Sequence, residues 1–175
     1  WEKLHVEEHA WWALRFPGLR GLAAKARETR VTELRLDHPS LVADLEAEIA
    51  SVGSARAVIR NGPYPGIGAA HIDLFQAFSW RNWQLLRLGG RIGIVLPRTA
   101  LFGASGAEWR KAVLTEGSFE DVCFLTNTGN WVFEEVDSRY TVALTVVVSG
   151  ASSQVSFAGP FHSHTEMVDG QDQRI

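Results

Sequence analysis

Leu85-Leu86-Arg87-Leu88-Gly89-Gly90-Arg91-Ile92-Gly93-Ile94-Val95-Leu96-Pro97 is the stretch whose reading decides the fold. Its second half, Arg91 to Pro97, is short, almost continuously apolar and bounded by glycine and proline. That profile predicts a strand of a parallel sheet, covered on both faces and therefore central. Upstream, Leu74, Phe75, Phe78, Leu85 and Leu86 recur at helical spacing, and Gly89-Gly90 supplies a stop, so residues 71 to 88 read as a helix feeding the strand. Downstream, the pattern predicts a helix over 105–114, strands over 119–125 and 140–148, and a weaker strand over 154–157. Alternation of this kind reads as an α/β layer structure, with the last two strands as antiparallel neighbours.

Further upstream lies the clearest loop, Asn61-Gly62-Pro63-Tyr64-Pro65-Gly66-Ile67-Gly68-Ala69, whose glycines and prolines cannot continue a helix or a central strand. Before it, residues 2–16, 19–35 and 39–59 carry apolar side chains at helical spacing. Phe16-Pro17-Gly18 ends the first of these helices, and Asp37-His38-Pro39-Ser40 links the other two. The reading is a helical segment over 1–70, a sheet-bearing region over 71–160 and a polar tail over 161–175.

The composition sets bounds. With 46% hydrophobic residues in a chain of 175, a sizeable core is available. A net charge of −3 and a pI near 6.1 give no global attraction to nucleic acid, so any DNA contact has to use a local patch. The single cysteine, Cys123, sits in the apolar run Val122-Cys123-Phe124-Leu125 and reads as a buried hydrophobe; a disulfide scaffold is excluded. No apolar stretch is long enough to span a membrane, and no signal-peptide core opens the chain, so a soluble cytoplasmic protein is expected. The chain opens on Trp1 and closes on Gly170-Gln171-Asp172-Gln173-Arg174-Ile175, ends that suggest a segment of a longer polypeptide.

Asp73-Leu74-Phe75-Gln76-Ala77-Phe78, then the stretch from Leu85 to Pro97, then Phe133, Val136, Arg139, Tyr140, Ala143 and Leu144 occur in one order. Together they resemble the helix, fifth strand and later "F..V..RY..AL" motif of adenine-specific (N6) DNA methyltransferases, most closely those of fused restriction-modification enzymes. The likeness covers residues 71 to 148 and implies the C-terminal part of the methylase domain: the later strands of a Rossmann-like class I methyltransferase fold.

The opening Trp1-Glu2-Lys3 resembles the end of the family's Asn-Pro-Pro-aromatic catalytic turn. The resemblance then implies that the catalytic residues and the S-adenosylmethionine strand lie just upstream of Trp1, in a missing N-terminal half, and that this segment is inactive alone and binds no cofactor itself. The implied parent transfers a methyl group from S-adenosylmethionine to adenine in double-stranded DNA, after flipping the base out of the stack. Trp1 would stack on that base, with its other face closed at the position of Val136, or by Phe133 or Trp131 in its place. Arg98 and Arg139 would meet phosphates. A sheet edge left bare would invite self-association.

Several competing patterns carry other readings. Asn61-Gly62-Pro63-Tyr64 imitates the catalytic turn, but follows a helix and has Gly second; a surface turn is the preferred reading. Gly66-Ile67-Gly68 before a helix imitates a nucleotide loop, yet no carboxylate for a ribose follows the next strand. His5-Val6-Glu7-Glu8-His9 fits the H-x-x-E-H pattern, with His5 and His9 one helical turn apart and Glu8 beside them; a zinc-dependent hydrolase is the rival enzyme. His162 and His164 read as solvated tail residues. Trp11 and Trp12 are adjacent on a helix, so one of them is expected to face a missing part of the parent or DNA. A third reading is a non-catalytic interaction module.

Overall fold

The computed structural model describes residues 4–67, 72–150 and 155–170. The chain divides into two compact units, one ending at Gly62 and the other beginning at Pro63.

The first unit is helical: α1 (Glu8–Arg15), a 3₁₀ turn over Pro17–Gly21, α2 (Ala24–Asp37) and α3 (Pro39–Asn61). Pro39 stands in the first turn of α3, where its missing N–H and fixed φ cost nothing. The core gathers Trp11, Trp12, Leu19, Val31, Leu34 and Leu45. The expectation for the two tryptophans is corrected: both are buried, Trp12 completely. They can share a core because their indoles meet edge to face, 5.2 Å apart, rather than lying side by side. The Trp11 indole N–H donates to Glu48 at 2.6 Å, and that of Trp12 to Glu8 at 3.3 Å. The Arg15 guanidinium lies 3.3 Å from the centre of a Trp11 ring, so neither indole is left for DNA.

The second unit holds a four-stranded open mixed sheet and its helices: α4 (Leu74–Leu85), β1 (Arg91–Pro97), α5 (Arg98–Phe102), α6 (Ala107–Glu116), β2 (Gly117–Thr126), β3 (Thr141–Ser149), β4 (Ser156–Phe161) and α7 (His164–Gly170). Strand order is β1-β3-β2-β4. β3 pairs antiparallel with β1 and with β2, whereas β4 runs parallel to β2. The class is therefore mixed α/β, as read from the alternation.

Three expectations change. Among the described residues β1 is an edge strand, antiparallel to its neighbour, not a central parallel one. Its apolar run does present two apolar faces, but only one is covered, and Val95 on the other is 48% exposed. The last two strands, β3 and β4, are not neighbours, because β2 lies between them. The polar tail is also folded as far as Gly170. Ser163 caps α7 by accepting from the Glu166 N–H at 3.1 Å, while the Glu166 carboxylate accepts from the His162 N–H at 2.8 Å, close to a capping box.

Register assigns the faces, since directly opposed residues of an antiparallel pair share one side. Val147, Thr145 and Ala143 of β3 stand opposite Ile92, Ile94 and Leu96 of β1 and opposite Phe119, Val122 and Phe124 of β2. The helices cover this face: Trp109 meets Phe119 edge to face at 5.5 Å, and Phe102 meets Phe124 at 5.6 Å. On the other face Cys123, Leu125, Val142 and Phe161 form a cluster with Trp131 and Met167 packed against it. Cys123 is buried there, as read from its apolar run. The β1 end of that same face, with Val95 and Leu144, stays open.

Candidate functional site

Three strand ends meet at one end of the sheet: the close of β1 at Pro97, the close of β2 at Thr126 and the start of β3 at Thr141. The loop from Asn127 to Tyr140 stands over this end. It turns first at Thr128-Gly129-Asn130, where Gly129 and Asn130 both have left-handed φ, 66° and 61°. Asparagine is among the few residues with a side chain that tolerate this, and its amide donates to the Glu134 carbonyl at 3.0 Å.

Asn127 fixes the rest of the loop. Its side chain, in a residue only 1% exposed, accepts from the Val132 and Phe133 N–H groups at 3.1 and 2.9 Å. Its amide donates to the Phe133 and Val136 carbonyls at 3.0 and 2.8 Å. Its own N–H donates to the Tyr140 carbonyl at 2.8 Å. A buried amide with both donors and its acceptor engaged is a rigid node, because every alternative loop geometry leaves some of these groups unpaired.

Beside this loop lie two adjoining clefts. The first, about 650 Å³, is lined by Val95, Phe133, Glu135, Val136, Asp137 and Tyr140. The second, about 420 Å³, is lined by Pro97, Arg98, Thr99, Asp137, Arg139 and Tyr140, together with Thr141. Asp137 and Tyr140 border both. The first cleft has an aromatic and aliphatic wall, and the second sets the Arg98 and Arg139 guanidinium groups beside the Asp137 carboxylate.

Asp137 grips Arg139 in a fork: the guanidinium donates from Nη2 at 2.6 Å and from Nε at 3.0 Å, and the Arg139 backbone N–H adds a bond of 2.9 Å. These bonds hold the Asp137 carboxyl down at about 2, chiefly through the Arg139 side chain and then through its backbone N–H. The folded value lies below the ordinary one, so this contribution to stability is complete above pH about 3.8 and fades as pH falls through about 2. The pair is solvent-exposed, and salt will weaken it. In a carboxyl NMR titration, Asp137 is expected to titrate near 2 and to return to the ordinary aspartate range in Arg139→Ala. Titration in that ordinary range in both proteins would remove the fork from the account.

The residues singled out from sequence are placed as follows. Phe133 and Val136 line the first cleft, and Arg98 and Arg139 the second. Arg98 lies over the Phe102 ring at 5.3 Å, and Arg139 is held by Asp137. Trp131 is not brought to the cleft. It packs on the Cys123–Phe161 cluster and its indole N–H donates to the Thr126 carbonyl at 2.8 Å, so its assignment to a base pocket is corrected. Trp1 lies outside the described residues, as do Gly68 and His71.

Asn61 is the last residue of α3, so the imitation catalytic turn follows a helix and not a strand. The carbonyls beyond it are taken: Pro65 accepts from the Trp80 indole at 2.9 Å, and Pro63 from the Gln84 amide. The space beside Gly66 is filled by Glu108, whose side chain would lie within 2.7 Å of an added Cβ. Neither segment is an open cradle. His5 precedes α1 instead of lying on it, which removes the shared helical face that His5 and His9 required, and Glu8 is bonded to Trp12 and Arg35. Among the described residues no group of three or more His, Cys, Asp or Glu is placed to hold a metal ion.

Sequence reasoning quoted Val95 and Tyr140 in the motifs without giving them a site role, and it passed over Asp137 and the buried Asn127, which holds the loop. The Asp137-Ser138-Arg139 spacing, which suits an aspartate-initiated turn, and the Asn127-Thr128-Gly129-Asn130 turn signal were legible; the long-range partners of Asn127 were not.

Comparison with protein-family models, with curated proteins and with solved structures finds no match for this chain. No helix among the described residues is long and apolar enough to cross a membrane.

Proposed function

We propose that the two clefts are the target-base side of a DNA adenine-N6 methyltransferase of the restriction-modification type, acting in the cytoplasm on double-stranded DNA. The sheet unit would form the later strands of a Rossmann-like methyltransferase fold. One observation carries the reading: Phe133, Val136, Arg139 and Tyr140, the residues that resemble the family's later motif, converge with Val95 and Arg98 at the carboxyl end of β1. Ligands of open α/β sheets bind at that end of the strands.

Each residue has a role in this reading. Phe133 and Tyr140 offer aromatic surface to a flipped adenine, with Val95 and Val136 as apolar walls that exclude water. Arg98 and Arg139 receive the flanking phosphates. Asn127 touches no nucleotide and positions the wall through the loop. In this reading the cofactor and the catalytic turn belong to a separate half of the parent, and the open edge of β1 offers a place for that half to pair.

Fluorescence titration with short single strands carrying the adenine analogue aminopurine tests the reading. The chain is expected to quench the analogue and to prefer adenine over cytosine competitors. Tyr140→Ala and Phe133→Ala should each weaken binding by roughly tenfold, within the range of about 1 to 3 kcal/mol for a lost base stack. Equal competition by both bases, with neither variant having an effect, would refute it.

A further inference from the structure

Behind α5, on the helical side of the sheet unit, is a small cavity of about 10 Å³ lined by Gln76 and Ser79 of α4, Ala100 of α5, Ser105 and Gly106 of the following turn, and Trp109 of α6. Three polar atoms around it are fully buried without a hydrogen-bond partner: Gln76 Oε1, Ser79 Oγ and Trp109 Nε1. Their residues are 6%, 2% and 3% exposed.

A native fold rarely leaves three buried polar atoms unmatched around one space, because each orphan carries the full cost of its desolvation. Their chemistry is complementary. The indole N–H can only donate, the amide oxygen can only accept, and the hydroxyl does either. The cavity has room for about one water molecule and is too small for a cofactor.

We propose that this cavity is a binding site for a single structural water, which accepts from Trp109 Nε1, donates to Gln76 Oε1 and completes its bonding at Ser79 Oγ. The water ties α4 to α6 beneath the segment that begins with Arg98. The protein already braces that segment from the same direction, since the Arg110 guanidinium donates to the Ala100 and Gly103 carbonyls, both at 2.8 Å. The site is independent of the proposed function.

A high-resolution crystal structure of the chain, paired with melting curves of Ser79→Ala, tests the proposal. An ordered water within hydrogen-bond reach of Trp109 Nε1 and Gln76 Oε1 is expected, and Ser79→Ala should lower the melting temperature by a few degrees by removing one of its anchors. If Ser79 Oγ were a true orphan, deleting it would leave the melting temperature unchanged or raise it. That result, or a crystal structure with no water between the indole and the amide, would overturn the assignment.

Discussion

Replacing Asn127 with alanine is expected to destabilise the sheet unit by about 3 kcal/mol or more and to free the loop that bounds both clefts. Four side-chain hydrogen bonds end at this one amide. Its removal deprives two N–H groups and two carbonyls of a partly buried loop of their partner, at a cost of roughly 1 to 3 kcal/mol for each group that finds neither a substitute nor water. Partial relaxation of the loop brings the total below the simple sum. Asn127→Asp separates the two halves of the node: it keeps the acceptor for the Val132 and Phe133 N–H groups, but sets a carboxylate against the Phe133 and Val136 carbonyls. It should therefore be no better tolerated than alanine. Denaturant unfolding measures the stability, and hydrogen exchange at the Val132 and Phe133 amides reads the loop directly. Undiminished protection of those two amides in Asn127→Ala would show that the loop is held by something else.

The second large effect is expected in the helical unit. Trp12→Ala should cost about 3 to 5 kcal/mol, the usual range for deleting a buried aromatic side chain, and should unfold α1. Trp12 is completely enclosed, and its ring lies against Trp11 and Phe16, at centre distances of 5.2 and 6.0 Å. Trp11→Phe is expected to be milder, because it keeps ring volume and loses chiefly the indole bond to Glu48, worth about 1 to 2 kcal/mol. Helix content followed by circular dichroism on heating checks both. A loss below about 1 kcal/mol for Trp12→Ala would mean that the first unit is not built on this cluster.

How far the molecule could be read from its residues differs from element to element. The run from Arg91 to Pro97 predicted a strand correctly, since seven residues between Gly-Gly and a proline leave little room for a helix. It did not predict the neighbours of that strand. Two apolar faces report that a strand is suited to being covered, and the described chain covers only the face carrying Ile92, Ile94 and Leu96. Trp11 and Trp12 failed as a guide for a similar reason. Adjacent residues on a lone helix point apart, yet two further helices wrapped around α1 enclose both directions. Ser163 and Glu166 carried a legible capping signal inside a stretch that composition alone marks as tail.

Within the candidate site, Phe133, Val136 and Arg139 were singled out by motif and Arg98 by its place just past the carboxyl end of the strand, and all four stand around the adjoining clefts. Trp131 was singled out at the start of the motif segment as an aromatic alternative to Val136 and is a packing residue, tied by its indole to the Thr126 carbonyl. Asn127 carried no such signal. Its importance lies in bonds to residues five to nine positions away, which exist only once the loop has closed.

Photo-crosslinking with an oligonucleotide carrying azidoadenine at the target base, followed by peptide mapping, tests the central claim most directly. The account predicts adducts between Phe133 and Tyr140, lost on competition with unmodified adenine strands and weakened in Arg98→Ala at raised salt. Adducts confined to the helical unit, or spread without preference over the surface, would contradict it.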